Sequence, residues 1–128
     1  MLEQVREISL LYDFYGELLP ERQREIVRLY HEDNFSLAEI GAEFGITRQG
    51  VHEALKRALE RLAGFEAKLG LVRRFAATEE TLAVVRSQIE ALLAKSGADP
   101  ELAAALRTMR QAIDGLELEA PAVGSRDL

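Results

Sequence analysis

The sequence predicts an all-α protein: a helix-turn-helix domain followed by a C-terminal helical hairpin extension. Three observations carry this. Apolar residues recur at three- and four-residue steps along most of the chain, beginning with Val5, Ile8, Tyr12, Tyr15 and Leu19. The stretch Ser36–Arg57, SLAEIGAEFGITRQGVHEALKR, places two short apolar-periodic segments on either side of Gly45. Proline is confined to Pro20, Pro100 and Pro121, so long helices can run unbroken. The expected division is a helix-turn-helix domain over 1–75, a hairpin over 76–118 and a loose tail over 119–128.

The first helix is expected from about Leu2 to Leu18. Leu11, Phe14 and Leu18 widen its apolar stripe beyond what a surface helix needs, which calls for burial on two sides, within the chain or across a dimer. Pro20 stands where a first helical position would be, with Glu21 in the first turn, and opens a helix reaching about Glu32. Ile26, Val27 and Tyr30 should face inward, and Arg22, Arg24 and Arg28 outward. These arginines could touch phosphate, but surface pairs with Glu21, Glu25 and Glu32 are the expectation. His31-Glu32-Asp33 has metal-binding residue types, yet neighbours on a helix point different ways and no second ligand set follows, so no metal site is expected. Asn34 should stop this helix, and Phe35 should staple the start of the next.

Ser36 can cap the first helix of the central motif, whose apolar side is Ile40 and Phe44. Gly45 supplies the turn, because glycine takes a positive φ without steric cost. Thr47 then caps a second helix with Val51, Ala54 and Leu55 on its inner side. Beyond it, Leu55, Ala58, Leu62, Phe65, Leu69 and Val72 hold heptad steps, so this helix should run on toward Phe75 as a seam for another helix, with a break near Gly64 or Gly70. Thr78 should cap a helix reaching Lys95, striped by Leu82, Val85, Ile89 and Leu92. After a loop at 96–99, Asp99-Pro100-Glu101 opens a last helix striped by Leu102, Leu106, Met109, Ile113 and Leu116 and stopped at Gly115.

Composition limits the chemistry. The 128 residues include no cysteine, which excludes disulfides, thiolate metal sites and cysteine nucleophiles and fits the cytoplasm. No apolar run approaches the roughly 18 residues of a membrane span. Glu3, Arg6, Glu7, Asp13 and Glu17 break the N-terminal stretch, so neither a secretory signal nor membrane insertion is expected. There is no glycine-rich phosphate loop and no nucleophile motif, and His31 and His52 stand apart, so neither an enzyme nor a cofactor is expected. The net charge of −6 opposes indiscriminate nucleic-acid binding.

Charge distribution is more telling than the total. The second helix of the motif carries Arg48, Gln49, His52, Lys56 and Arg57 away from its apolar side, interrupted only by Glu53. A solvated helix face usually mixes signs through i,i+4 pairs. Arg48 and Gln49, at the helix start, suit guanine and adenine edges in a major groove. Lys56 and Arg57, further along, suit phosphate. Glu53 could accept from cytosine or pair with Arg57. These five residues are the candidate nucleic-acid contacts, with binding that should be sensitive to salt.

Two stretches carry a resemblance. Leu19-Pro20-Glu21-Arg22-Gln23, followed by SLAEIGAEFGITRQGVHEALKRALERL, is similar to the promoter-reading region 4 of bacterial sigma factors. More narrowly, residues 1–75 resemble the YlxM family of small DNA-binding-type proteins. The words that carry it are Tyr12-Asp13-Phe14-Tyr15, Tyr30 to Ser36 with Asp33 and Phe35-Ser36-Leu37, and Thr47-Arg48-Gln49 before Val51. That resemblance implies an all-α, sigma-region-4-like fold and an accessory or regulatory role in the signal recognition particle pathway. It implies DNA or the particle's RNA as a partner, and the particle's GTPase as a further one. Gly41, where alanine is usual, and Gly50 depart from the family pattern, and the hairpin is longer than expected for it. A homodimer is expected from the wide first helix and the Leu55–Val72 seam. The alternative reading is a protein-interaction module of that pathway that binds no nucleic acid.

Overall fold

The computed structural model describes residues 2–116, with side chains from Arg6 onward. Val5 of the first stripe and the tail expected over 119–128 therefore lie outside the described side chains. Helix α1 spans Leu2–Tyr15 and passes into a 3₁₀ turn at Gly16–Leu18. Helix α2 spans Glu21–Val27 and continues as a π-helical turn, Arg28–Glu32. Then come α3 (Leu37–Phe44), α4 (Arg48–Leu69), α5 (Leu71–Ser96) and α6 (Pro100–Asp114). The described residues are helical throughout their regular structure, so the chain is all-α with a helix-turn-helix, as the sequence predicts. Among the described residues no helix is long and apolar enough to cross a membrane.

The chain divides into two compact units, the first ending at Val72 and the second beginning at Arg73. In the first, α4 is the common partner of α1, α2 and α3. Val51, Leu55, Ala58 and Leu62 of α4 form one core with Leu11, Tyr12, Tyr15, Leu19, Ile26, Val27 and Ile40. Burial of each large aliphatic side chain here contributes roughly 1.5–3 kcal/mol. The α4 seam is thus filled by α1 of the same chain, so its inner part offers no free surface to a second copy.

Three local expectations are corrected. Leu18 is exposed, because α1 yields to the tighter 3₁₀ turn at Gly16 and Leu19 takes the buried place. Pro20 is the N-cap of α2 rather than its first helical residue, with an extended ψ of 142°. Tyr30 faces outward at 38% exposure. The π turn holds one more residue per hydrogen-bonded loop than an α turn, which changes the phase, and Leu29 packs against the core instead. Asn34, at φ 58°, ends this segment as expected, and the Phe35 N–H returns to the Leu29 carbonyl at 2.9 Å.

The break after α4 falls at Gly70, which caps that helix in the left-handed region at φ 63°; Gly64 stays helical. Helix α5 starts at once, at Leu71, so Thr78 lies inside it and caps nothing. The cap is supplied from elsewhere. Tyr15 Oη accepts the Leu71 N–H at 3.0 Å, and Glu66 Oε1 accepts the Val72 N–H at 3.0 Å.

In the second unit, α5 and α6 form a hairpin. Asp99 caps α6 by accepting the Leu102 N–H at 3.1 Å, with Pro100 in the first turn. The seam follows Leu82, Ile89, Leu93 and Ser96 on α5 and Ala103, Leu106 and Ile113 on α6: Leu82, Ile89, Leu106 and Ile113 stand on the expected stripes, and Leu93, Ser96 and Ala103 beside them. Arg86 and Arg110 fill the remaining seam positions and reach across it, to Asp114 at 3.0 Å and Glu90 at 3.1 Å. Val85, Leu92, Leu102, Met109 and Leu116, all assigned to the seam by periodicity, are exposed instead.

Candidate nucleic-acid interface

The turn between α3 and α4 sets the candidate interface. Ser36 and Glu39 form a reciprocal cap: Ser36 Oγ accepts the Glu39 N–H at 3.0 Å and Glu39 Oε1 accepts the Ser36 N–H at 2.9 Å. Those two hydrogen bonds favour the charged form of Glu39 and hold its carboxyl below the ordinary 4.5. Gly45 ends α3 at φ 67°, and the Ile46 N–H returns to the Gly41 carbonyl at 2.9 Å. A Cβ on Gly41 would stand 2.7 Å from the Ile46 carbonyl oxygen. The departure at Gly41 thus permits close contact between α3 and the turn. Thr47 caps α4, its Oγ1 accepting the Gly50 N–H at 2.9 Å.

All five candidate contacts lie on α4 and are exposed. They do not form one patch. Arg48, His52 and Lys56 stand four residues apart and make one cationic row; Gln49, Glu53 and Arg57 make a second, mixed row. At about 100° per residue, Arg48 and Arg57 lie on opposite edges of the helix. The flanking grooves agree: His52 and Lys56 line one, beside Tyr30 and Leu37, whereas Glu53 and Arg57 line the other, beside Arg22 and Gln23. No hydrogen bond or ion pair among the described residues engages any of the five side chains, and Glu53 does not pair with Arg57. The first turn of α4 carries no acid, so Arg48 sits uncompensated at the positive end of the helix dipole.

The arginines of α2 are engaged otherwise than expected. Arg28 pairs with Asp33 at 3.2 Å, not Glu32. Arg22 donates to the Phe44 carbonyl at 3.3 Å and lies 5.6 Å from that ring's centroid, closing the end of α3. Contacts across 22 residues leave no local sequence signal. Among the described residues no group of three or more His, Cys, Asp or Glu could hold a metal ion.

The family described as "Putative helix-turn-helix protein, YlxM / p13 like" (UPF0122) matches residues 2–96. The match extends beyond the 1–75 of the sequence resemblance and stops at the end of α5. A UPF0122 protein of Desulforamulus reducens is 40% identical over 100 residues, 78% of this chain and 84% of that protein. One from Thermoanaerobacter sp. is 40% identical over 111 residues, 87% and 94% of the two chains. Another, from Listeria monocytogenes, is 39% identical over 95 residues, 74% and 83%. The chain belongs to the UPF0122 family of YlxM/p13-like helix-turn-helix proteins.

Proposed function

We propose that this protein binds nucleic acid through α4 as a regulatory helix-turn-helix protein. The observation that carries the reading is the unpaired row Arg48, His52 and Lys56 beside a capped, acid-free helix start. An arginine against the positive end of a helix dipole is unfavourable by roughly 0.3–1 kcal/mol unless an anion lies nearby, and a phosphate would supply it. In this reading Arg48 and Gln49 reach base edges, and Lys56 and Arg57 hold backbone phosphates on either side. The setting in the signal recognition particle pathway, with its RNA or its GTPase as partner, rests on the resemblance to the YlxM family.

The test is fluorescence anisotropy at several salt concentrations, with signal recognition particle RNA, a promoter-like duplex and a scrambled duplex. Tightest binding to the first supports the particle's RNA as partner, and to the second a promoter. Unchanged binding in the Arg48→Ala, Lys56→Ala double variant would remove α4 as the contact surface.

A second reading, a protein-interaction module or homodimer without nucleic acid, is favoured by the exposed Leu92, Leu102, Met109 and Leu116 of the hairpin. Sedimentation at tens of micromolar separates a self-associating hairpin from a monomer.

A further inference from the structure

The π turn leaves a feature that nucleic-acid contact alone does not use. It turns Tyr30 out of the core, with its ring edge-on to His31 at 5.1 Å between centroids. Across from this pair, α3 and α4 contribute Leu37, Leu55, Leu59, His52 and Lys56 to the walls of a groove of about 330 Å³. That volume is at the lower end of the roughly 300–1,000 Å³ of small-molecule sites. π turns recur at functional sites in helices.

The chemistry of the walls is one-sided. The body of the groove is three leucines and a tyrosine ring, and its polar side-chain groups are the Tyr30 hydroxyl, the Lys56 ammonium and the imidazoles of His31 and His52. Among the described residues no carboxylate lines it; the one that acts on His31 is that of its chain neighbour Glu32. An apolar body would cover the leucines and stack on Tyr30, and a negative head would meet Lys56. A cation would find no counter-charge, and a neutral hydrocarbon would leave Lys56 unanswered.

We propose that this groove binds a small amphiphilic carboxylate, with an aromatic or branched-alkyl body, and that such a ligand acts as an effector. His52 and Lys56 belong both to the groove and to the cationic row of α4. A carboxylate on Lys56 therefore competes with phosphate for the same charge, and by linkage nucleic acid weakens ligand binding by the same factor. The effector role rests on the nucleic-acid reading; occupancy of the groove does not.

The probe is 4-phenylbutyrate, with the uncharged 4-phenylbutyramide as control, titrated into the ¹⁵N,¹³C-labelled full chain. The expected result is shifts confined to Tyr30, Leu37, Leu55, Lys56 and Leu59, a dissociation constant below about 1 mM, and about tenfold weaker binding of the amide. Tyr30→Ser should weaken the carboxylate about tenfold while nucleic-acid affinity stays as in the parent chain. Absence of groove-localised shifts, equal binding of acid and amide, or unchanged binding in Tyr30→Ser overturns the proposal. If Tyr30→Ser does not fold, the shift map and the acid–amide comparison on the parent chain still decide. In a separate arm, 4-phenylbutyrate should lower nucleic-acid affinity. Groove binding without that effect overturns the effector role, and a chain that binds the carboxylate but no nucleic acid overturns the α4 reading and the effector role together.

Discussion

Tyr15 donates its hydroxyl hydrogen to Glu66 Oε1 at 2.6 Å, and the two oxygens then accept the first backbone N–H groups of α5, those of Leu71 and Val72. The pair joins the end of α1, the last turn of α4 and the start of α5. The Tyr15 ring is buried and lies 6.0 Å from that of Phe65. Burial first, then the bond to Glu66, raises the phenol above its ordinary value of 10.0.

Tyr15→Phe should therefore cost about 1–3 kcal/mol, because the ring still packs while the Leu71 N–H loses its acceptor in a part-buried place. Urea unfolding gives the magnitude, and hydrogen exchange at Leu71 should rise more than at Ile40. Equal protection at Leu71 in both chains would sink the capping role.

Gly41→Val should destabilise by about 2 kcal/mol or more, since its Cβ would stand against the Ile46 carbonyl oxygen in the turn. Gly41→Ala meets the same backbone clash, which its gain of about 1 kcal/mol in helix propensity only partly offsets, and should destabilise by less than Gly41→Val. Thermal midpoints of the two variants check the order.

Ser36→Ala should cost about 1 kcal/mol through loss of the cap on α3. The depressed Glu39 carboxyl gives this cap a pH dependence. Its contribution is present above pH 4.5, the ordinary value, and is lost as pH falls through the lower folded value. Unfolding midpoints of parent and Glu39→Gln should converge in acid.

Burial holds the His31 imidazole below its ordinary 6.5, with the Glu32 carboxylate opposing. As pH falls below 6.5, the unfolded chain takes up a proton before the folded chain does, so stability drops until the folded value is reached and is level beyond it. Asp13, raised above 3.8 by burial and then by Glu32, has the opposite sign at lower pH: there the folded chain binds its proton first. Urea midpoints at about pH 7.5 and 5.5 should differ less in His31→Gln than in the parent chain.

Glu53→Gln should tighten nucleic-acid binding roughly two- to fivefold at low salt, because it removes the carboxylate that interrupts the candidate contacts on α4. Weaker binding in anisotropy titrations would mean that Glu53 accepts a hydrogen bond from a base. In the same titrations, losing the Lys56 charge should reduce the salt slope by about 1, and losing Arg48 should relax sequence preference.

The helix-turn-helix was legible because every signal it uses is local. Ser36 and Glu39 cap within one turn, Gly45 takes its positive φ where a chain reversal is needed, and Thr47 caps the next three residues. Periodicity was a poorer guide in the hairpin. Val85 and Arg86, or Leu92 and Leu93, are each one residue apart, and a shift of that size moves the stripe by about 100°. Apolar spacing favoured Val85 and Leu92, and packing against Ala103 and Leu106 selected the other line. The five candidate contacts all lie on the exposed side of α4, but their division into two rows follows from helical geometry rather than from residue type.

The sequence by itself determined the caps of α3, α4 and α6 and the αL turn at Gly45, because those depend on residues within four positions of one another. Tertiary structure decided what spacing could not carry. Tyr15 and Glu66, 51 residues apart, start α5 at Leu71 in place of Thr78. The π turn exchanges Leu29 for Tyr30 at the core, and α1 covers the seam of α4. Each of these is a choice between apolar or polar partners of similar local merit, and only the packed chain brings the competitors together.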